Sequence, residues 1–70
     1  MLKIGSLWQH YKTKNIYRVL SLSMREEDLE ALVTYECTEK RLVFTCPLRR
    51  FLGKLDGKDT KYRFEFIEVK

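Results

Sequence analysis

The sequence predicts an all-β fold of five short strands, with one short helical turn before the last strand. Apolar and aromatic residues alternate with polar ones over short runs, which is the spacing of half-buried strands rather than of helices. Polar, turn-prone clusters separate these runs, and the single proline, Pro47, falls where a strand has to end. The 70 residues, 44% hydrophobic and 13% aromatic, suit one small domain over residues 1–70 and exclude a disordered chain or two separate cores.

The first half of the chain supplies three of these strands. We predict the first strand over residues 7–12, followed by a polar turn at 13–15. The second strand, over residues 16–22, is rich in β-branched and aromatic side chains. A charged loop at 23–28 then leads to the third strand, at 29–38.

The second half supplies the fourth strand, the helical turn and the fifth strand. The fourth strand covers residues 42–45. It cannot continue past Pro47, because proline cannot donate a hydrogen bond to a sheet. Residues 48–51 fit a single helical turn. A turn at Asp56–Gly57 precedes the fifth strand, at 61–66. The alternation reverses just beyond this strand, which predicts a bulge near its last residue, Phe66.

Five short strands with tight connections favour a strongly bent sheet that closes its own edges, a small SH3-like barrel. An OB-fold also has five strands. That fold usually needs a longer chain and a helix between its third and fourth strands, whereas the helical turn here follows the fourth. The SH3-like barrel is therefore the preferred architecture.

Several short motifs occur together along the chain. They are the opening Gly5, Trp8, His10, Tyr11 and Lys12, continued by Tyr17 and Val19; then Glu30, Val33 and Tyr35; then Phe44, Pro47 and Phe51; and finally Gly57, Arg63 and Phe64. The set resembles the pattern of domain-of-unknown-function family 1653, small bacterial and phage proteins, over nearly the whole chain. Trp8 replaces a tyrosine of that pattern, the turn from Lys12 to Tyr17 is longer by one residue, and Cys46 stands where arginine is usual. The resemblance implies an SH3-like barrel and no particular activity.

Basic and acidic residues are segregated along the sequence. The chain has a net charge of +4, but residues 1–23 carry +4, residues 24–40 carry −4 and residues 41–63 carry +5. If the first and third segments meet in space, the fold has a basic face suited to an anionic partner. The alternative is a mixed, solvated surface with no single basic face.

A candidate ligand-binding face follows from the first strand. Trp8 and His10 share one side of that strand with Lys12, and we expect Arg18 and Arg63 nearby. Trp8 would stack on a base or ring, His10 would hydrogen-bond, and the cations would hold phosphate or carboxylate. The adjacent Arg49 and Arg50 form a secondary basic patch.

Catalysis and cofactor binding are not expected. His10 is the only histidine, and the spacing offers no nucleophile and orienting partner for it. Together with Cys37 and Cys46 it is one ligand short of a structural zinc site, so no metal or other cofactor is predicted. If the chain turns at 39–40, Cys37 faces Leu42; one residue later, it faces Phe44. Cys46 is displaced in both registers, so both thiols should be free.

Three functions stay open at this point. The preferred one is a non-enzymatic binding module for an anionic partner, a nucleic acid or a nucleotide. The second is a protein-interaction adaptor of phage or mobile-element origin, and the third an oligomer that sequesters a small nucleotide. The longest charge-free stretch, Ile4 to Tyr11, has eight residues where a membrane span needs roughly 18. No secretory signal is evident either, so a cytoplasmic location is expected.

Overall fold

The computed structural model describes residues 2–53 and 62–67. Within these ranges the chain is mostly β, with antiparallel strands in one sheet of order β4-β3-β2-β1-β5 and one short helix. The elements are β1 Leu7–His10, β2 Ile16–Met24, β3 Ala31–Cys37, β4 Val43–Pro47, α1 Leu48–Phe51 and β5 Phe64–Ile67. The predicted five strands and the helical turn before the last one are therefore confirmed.

The strand bounds differ from the predicted ones for local reasons. β1 ends at His10 because the His10 ring accepts hydrogen bonds from the backbone of the following turn. β3 begins at Ala31, since the preceding residues form a turn in which Leu29 has a positive φ of 57°. Pro47 is the last residue of β4, a position it tolerates because β4 is an edge strand.

The predicted bulge near Phe66 is wrong for the described part of β5. The pairing of β1 with β5 runs without interruption from Leu7 opposite Ile67 to His10 opposite Phe64. The change of phase in the sequence arises at Ile67, which lies opposite Leu7 on the other side of the sheet from Phe64 and Phe66. The register shift occurs instead in β2, between Val19 and Ser21.

The turn between β3 and β4 adopts the first of the two predicted registers. Cys37 donates its backbone N–H to the carbonyl of Leu42 at 2.8 Å, which places Tyr35 opposite Phe44. Both thiols are free, with Cys37 buried and Cys46 half-buried. The predicted turn at Asp56–Gly57 lies outside the described residues.

The two edges of the sheet are formed by β4 and β5, and no strand pairing joins them in the described ranges. The sheet is thus open there and not closed by hydrogen bonds into a barrel. The helix α1 follows directly on β4, and its Phe51 ring stacks on Phe64 of β5 with centroids 4.2 Å apart and planes 11° apart. Aromatic packing, rather than a backbone ladder, connects the two edges.

The core forms around this stack. Val19, Val33 and Phe51 are completely buried, and Phe64 is 5% exposed. Trp8 packs against Phe51 in an edge-to-face contact, with centroids 5.5 Å apart. Full burial of side chains of this size contributes roughly 1.5–3 kcal/mol each, so these residues make a large contribution to the stability of so short a chain.

Gly53 holds the end of α1 close to the start of β5. A Cβ atom at this position would lie 2.9 Å from the backbone oxygen of Arg49, which is closer than real Cβ contacts. The Gly53 carbonyl in turn accepts the backbone N–H of Arg63 at 3.0 Å. Glycine therefore permits the close approach that sets the position of Arg63 relative to the helix.

We expect Phe51→Ala to unfold the protein. Removing a buried phenylalanine costs about 3–5 kcal/mol, which is about all that a core of this size supplies. Leu52→Ala is the matched control, since Leu52 is the next residue and is 42% exposed; it should cost about 0.5 kcal/mol or less. Thermal denaturation followed by circular dichroism measures both. A Phe51→Ala variant that melts within a few degrees of the wild type would contradict this view of the core.

Candidate functional site

A pocket of about 190 Å³ lies on the core-facing side of the sheet, and all five described strands contribute to it. We call it the arginine pocket. Its lining residues are His10, Tyr17, Tyr35, Phe44, Cys46, Arg50, Arg63 and Phe64.

The strand register explains why these side chains meet. Directly opposed residues of antiparallel strands point to the same side of a sheet. His10 is opposite Phe64, and Tyr35 is opposite Phe44. Tyr17 joins them because it is paired with Trp8, two residues before His10 on β1. Because side chains alternate between the two sides of each strand, these aromatic and polar residues all lie on the same side of the sheet and line one pocket.

Aromatic rings form the walls of the pocket. Phe64 lies at the centre, with its ring 5.1 Å from His10, 5.5 Å from Tyr17 and 5.6 Å from Tyr35, all in edge-to-face contact. Phe44 stacks on Tyr35 at 5.7 Å and is itself 41% exposed. The interior wall is thus the buried Phe64, whereas Phe44 extends the aromatic surface to solvent.

Two arginines bring positive charge to this aromatic space. Arg63 is held through its backbone, which donates to Gly53 and accepts the N–H of Tyr11, both at 3.0 Å. Its side-chain Nε is buried and makes no hydrogen bond. Arg50 enters from α1, with its side chain exposed to solvent.

No carboxylate lines the arginine pocket, and none forms an ion pair with Arg50 or Arg63 within the described ranges. An unpaired buried donor on a charged group is costly, because it has lost its water without gaining an acceptor. The described lining of the pocket therefore carries positive charge that no described carboxylate neutralises.

The tyrosine of β3 adds a neutral donor. Burial raises the pKa of the Tyr35 hydroxyl to about 12, with further contributions from the neighbouring Cys46 and Tyr17, while Arg50 acts in the opposite direction. The hydroxyl therefore keeps its proton at neutral pH and stays a hydrogen-bond donor, with the Cys46 side chain as its neighbour in the protein. It is a poor candidate for a general base.

His10 has one nitrogen occupied by the backbone. Its Nδ1 accepts hydrogen bonds from the N–H groups of Lys12 at 3.1 Å and Thr13 at 3.3 Å. Burial lowers the pKa of the imidazole, and the positive charges of Arg63 and Lys12 lower it further. The neutral ring then carries its proton on Nε2, because Nδ1 acts as the acceptor. His10 thus offers a donor and no free basic nitrogen.

The structure brings together only part of the predicted ligand-binding face. His10 and Arg63 line the same pocket. Arg50, predicted as part of the secondary patch, joins them there, whereas its neighbour Arg49 is paired with Glu30 at 3.0 Å. Of the two adjacent arginines, only Arg50 therefore lines the pocket, and Arg49 forms an ion pair instead.

Three other predicted residues do not line the pocket. Trp8 is half-buried, donates its indole N–H to the Ser6 hydroxyl at 2.9 Å and packs on the core, so its ring is not a free stacking surface. Arg18 lies on the opposite side of the sheet, where its guanidinium donates to the Gly5 carbonyl at 3.4 Å. Lys12 is exposed in the turn after β1, because the strand ends before it.

Five lining residues were not predicted from the sequence: Tyr17, Tyr35, Phe44, Cys46 and Phe64. The signal was available for two of them, since a turn at 39–40 places Tyr35 opposite Phe44. Nothing in the sequence identified which of the many aromatic residues surround a pocket rather than fill the core.

A more apolar groove of about 360 Å³ adjoins the core on the Trp8 side, lined by Trp8, Leu52, Tyr62, Phe64, Glu65 and Phe66. Within residues 2–53 and 62–67, no three His, Cys, Asp or Glu side chains cluster as metal ligands would. The described segments also contain no helix with the length and hydrophobicity to cross a membrane.

Comparison with known proteins identifies a family for this chain. A family model described as a protein of unknown function, DUF1653, matches residues 6–66. No curated protein and no solved structure matches the chain significantly. The matched range includes every residue that lines the arginine pocket.

The His10 geometry predicts a pH-dependent stability. Because the pKa of His10 in the folded protein lies below the unfolded value of 6.5, its contribution is complete above that value and is lost as the pH falls through the folded pKa. We expect the melting temperature to fall from pH 7.5 to pH 5 more steeply in the wild type than in His10→Asn. The Asn Oδ1 can accept the same two N–H groups without titrating. Equal slopes in the two proteins would show that His10 does not act in this way.

Proposed function

The chain belongs to the DUF1653 family, whose function is unknown, and we propose from its own geometry that it is a non-enzymatic binding module for an anionic partner, a nucleic acid or a nucleotide. One observation carries the proposal. The Arg63 Nε is buried without a hydrogen-bond partner, in a pocket that Arg50 also lines and whose described lining residues include no carboxylate.

The arrangement suits a phosphate group. Guanidinium groups form charge-assisted, often bidentate hydrogen bonds with phosphate oxygens. The Tyr35 hydroxyl and the His10 Nε2 add neutral donors on the same side of the sheet. Phe44 supplies an exposed aromatic surface beside these donors, and bases stack on such rings without strict sequence preference.

Binding is favoured over catalysis by the state of the titratable groups. The Nδ1 of His10 is engaged with the turn, and the raised pKa of Tyr35 keeps its hydroxyl protonated. The described pocket therefore offers donors to an anion but no nitrogen or phenolate ready to accept a proton. General base catalysis would require such an acceptor within hydrogen-bond reach of a substrate.

We further propose that the sheet curls into the SH3-like barrel predicted from the sequence. The strand order is a simple meander with β5 returned to β1, and the helical turn comes between β4 and β5. The stack of Phe51 on Phe64 bridges the two edges where such a barrel would close. The arginine pocket would then lie at the open mouth of the barrel, a common place for ligands in small β-barrels.

A protein-interaction adaptor is the second candidate function. It is supported by the apolar groove, where Leu52, Tyr62 and Phe66 are 42%, 51% and 56% exposed. Exposed aromatic residues rimmed by charge are typical of protein-binding surfaces. Binding of this kind should depend on Phe66 and little on Arg50.

We expect the protein to bind fluorescently labelled oligothymidylate or oligouridylate in a polarisation assay, with affinity that falls as salt is raised. Arg50→Gln removes a charged donor worth roughly 1.5–3 kcal/mol, so the affinity should fall about tenfold or more. Arg49→Gln is the matched control. It makes the same charge change one residue away, at a side chain already paired with Glu30, and should change the affinity about twofold or less.

Two outcomes would contradict the proposal. Equal weakening by Arg49→Gln and Arg50→Gln would show that only net charge matters. No binding at low salt, with circular dichroism confirming folded protein, would favour the adaptor. Mononucleotides tested as competitors distinguish a polymer from a small nucleotide as the partner.

A further inference from the structure

We propose that the arginine pocket recognises a phosphomonoester attached to a base, as found at the end of a single-stranded nucleic acid or in a free nucleotide, in preference to an internal phosphodiester. This inference rests on the proposed function and specifies its ligand. The observations that carry it are the size of the pocket, its pair of arginines, its closed aromatic wall and the exposed ring of Phe44.

The size of the pocket limits what it can enclose. Its volume is about 190 Å³, whereas pockets that enclose whole drug-sized ligands measure roughly 300–1,000 Å³. The arginine pocket therefore holds one group of a larger molecule and leaves the remainder outside.

The charge of the pocket matches a monoester better than a diester. A phosphomonoester carries about −1.5 to −2 charges at pH 7 and three terminal oxygens, whereas an internal diester carries one charge and two such oxygens. Arg50 and Arg63 provide two positive charges, and no acid is among the described residues that line the pocket. The unpartnered Nε of Arg63, the Tyr35 hydroxyl and the His10 Nε2 supply further donors for the additional oxygen.

The shape of the pocket favours the end of a chain. Phe64 is 5% exposed and touches the rings of His10, Tyr17 and Tyr35, so it closes the inner side. An internal phosphate that reached this wall would have to bring two backbone segments into the pocket, one on each side of it. A terminal phosphate can enter and stop there.

The exposed side of the pocket provides the surface for the adjoining base. Phe44 stacks on Tyr35 with planes 29° apart and keeps 41% of its own surface accessible. A base attached to the bound phosphate can lie on this ring. Stacking of a base on an aromatic side chain contributes about 1–3 kcal/mol, which accounts for a preference for nucleotides over inorganic phosphate.

The test is a competition experiment with unlabelled ligands against a bound, labelled oligonucleotide. The competitors are one oligothymidylate with a 5′-phosphate, a 3′-phosphate or two hydroxyl ends, together with thymidine 5′-monophosphate, inorganic phosphate and a phosphotyrosine peptide. We expect at least one phosphate-ended oligonucleotide to compete about tenfold more strongly than the hydroxyl-ended one. Thymidine monophosphate that competes equally well would support the inference and assign the ligand to free nucleotides.

Variants connect this preference to the pocket. Arg63→Lys keeps the charge but loses the planar guanidinium, and we expect it to abolish the tenfold preference for the phosphate end. Arg50→Lys tests the same point on the exposed helix, should Arg63→Lys fail to fold. Phe44→Ala should weaken nucleotide ligands several-fold and leave inorganic phosphate unchanged, while Val43→Ala, at a neighbouring residue that is 55% exposed, should change neither.

Several results would overturn the inference. If phosphate-ended and hydroxyl-ended oligonucleotides compete equally, and Arg50→Gln weakens both, the proposed binding function stands but the preference for a terminal phosphate is wrong. If the phosphotyrosine peptide competes more strongly than every nucleotide, the ligand is a phosphoprotein instead. If no nucleic acid or nucleotide binds at all, both the inference and the proposed function fail.

Discussion

The contact between Phe51 and Phe64 is the constraint on which the rest of the structure depends. The sheet has two edges that no described backbone pairing joins, and this stack, with centroids 4.2 Å apart, spans them. Both rings are essentially removed from water, and both touch Tyr35. A chain this short has few other large side chains to bury, so losing the stack would release the helix and β5 together.

The pocket is a consequence of the same packing. Because Phe64 lies in the core, the residue before it, Arg63, is drawn to the sheet and fixed by backbone hydrogen bonds to Gly53 and Tyr11. The guanidinium thereby loses water at its Nε without acquiring a protein acceptor. Without a ligand, this buried donor lowers the stability of the folded protein because it has no acceptor. A bound anion would supply the acceptor, so the same donor would favour binding.

Much of the fold could be predicted from the sequence. Period-two alternation identified all five strands, and Pro47 located the end of β4 and the helical turn beyond it. The predicted bulge near Phe66 is wrong for the described part of β5 because the apolar Ile67 lies opposite Leu7 on the other side of the sheet, and an apolar residue on that side looks, in sequence, like a change of phase. The burial of a side chain on an edge strand depends on which other element packs against that strand, and the local sequence does not specify that element.

The candidate site was less predictable, for reasons visible at particular residues. His10 and Arg63 were identified correctly as neighbours, but Arg18 lies on the other side of the sheet because it is opposite Leu7 rather than Trp8. Only the pairing register determines that difference. Arg49 and Arg50 are identical in sequence terms, yet one turns toward Glu30 and the other toward the pocket, since successive residues of a helical turn point in different directions.

The most direct test of the central claim is to observe the Arg63 Nε–H itself. Its resonance in a ¹⁵N–¹H correlation spectrum can be assigned by its absence in Arg63→Lys, and then followed during titration with thymidine 5′-monophosphate. A hydrogen bond to phosphate should move this resonance downfield and slow its exchange with water, ahead of the resonances of Arg18 and Arg49. An Arg63 Nε–H signal that stays unchanged while the exposed arginines shift would contradict an anion site in this pocket.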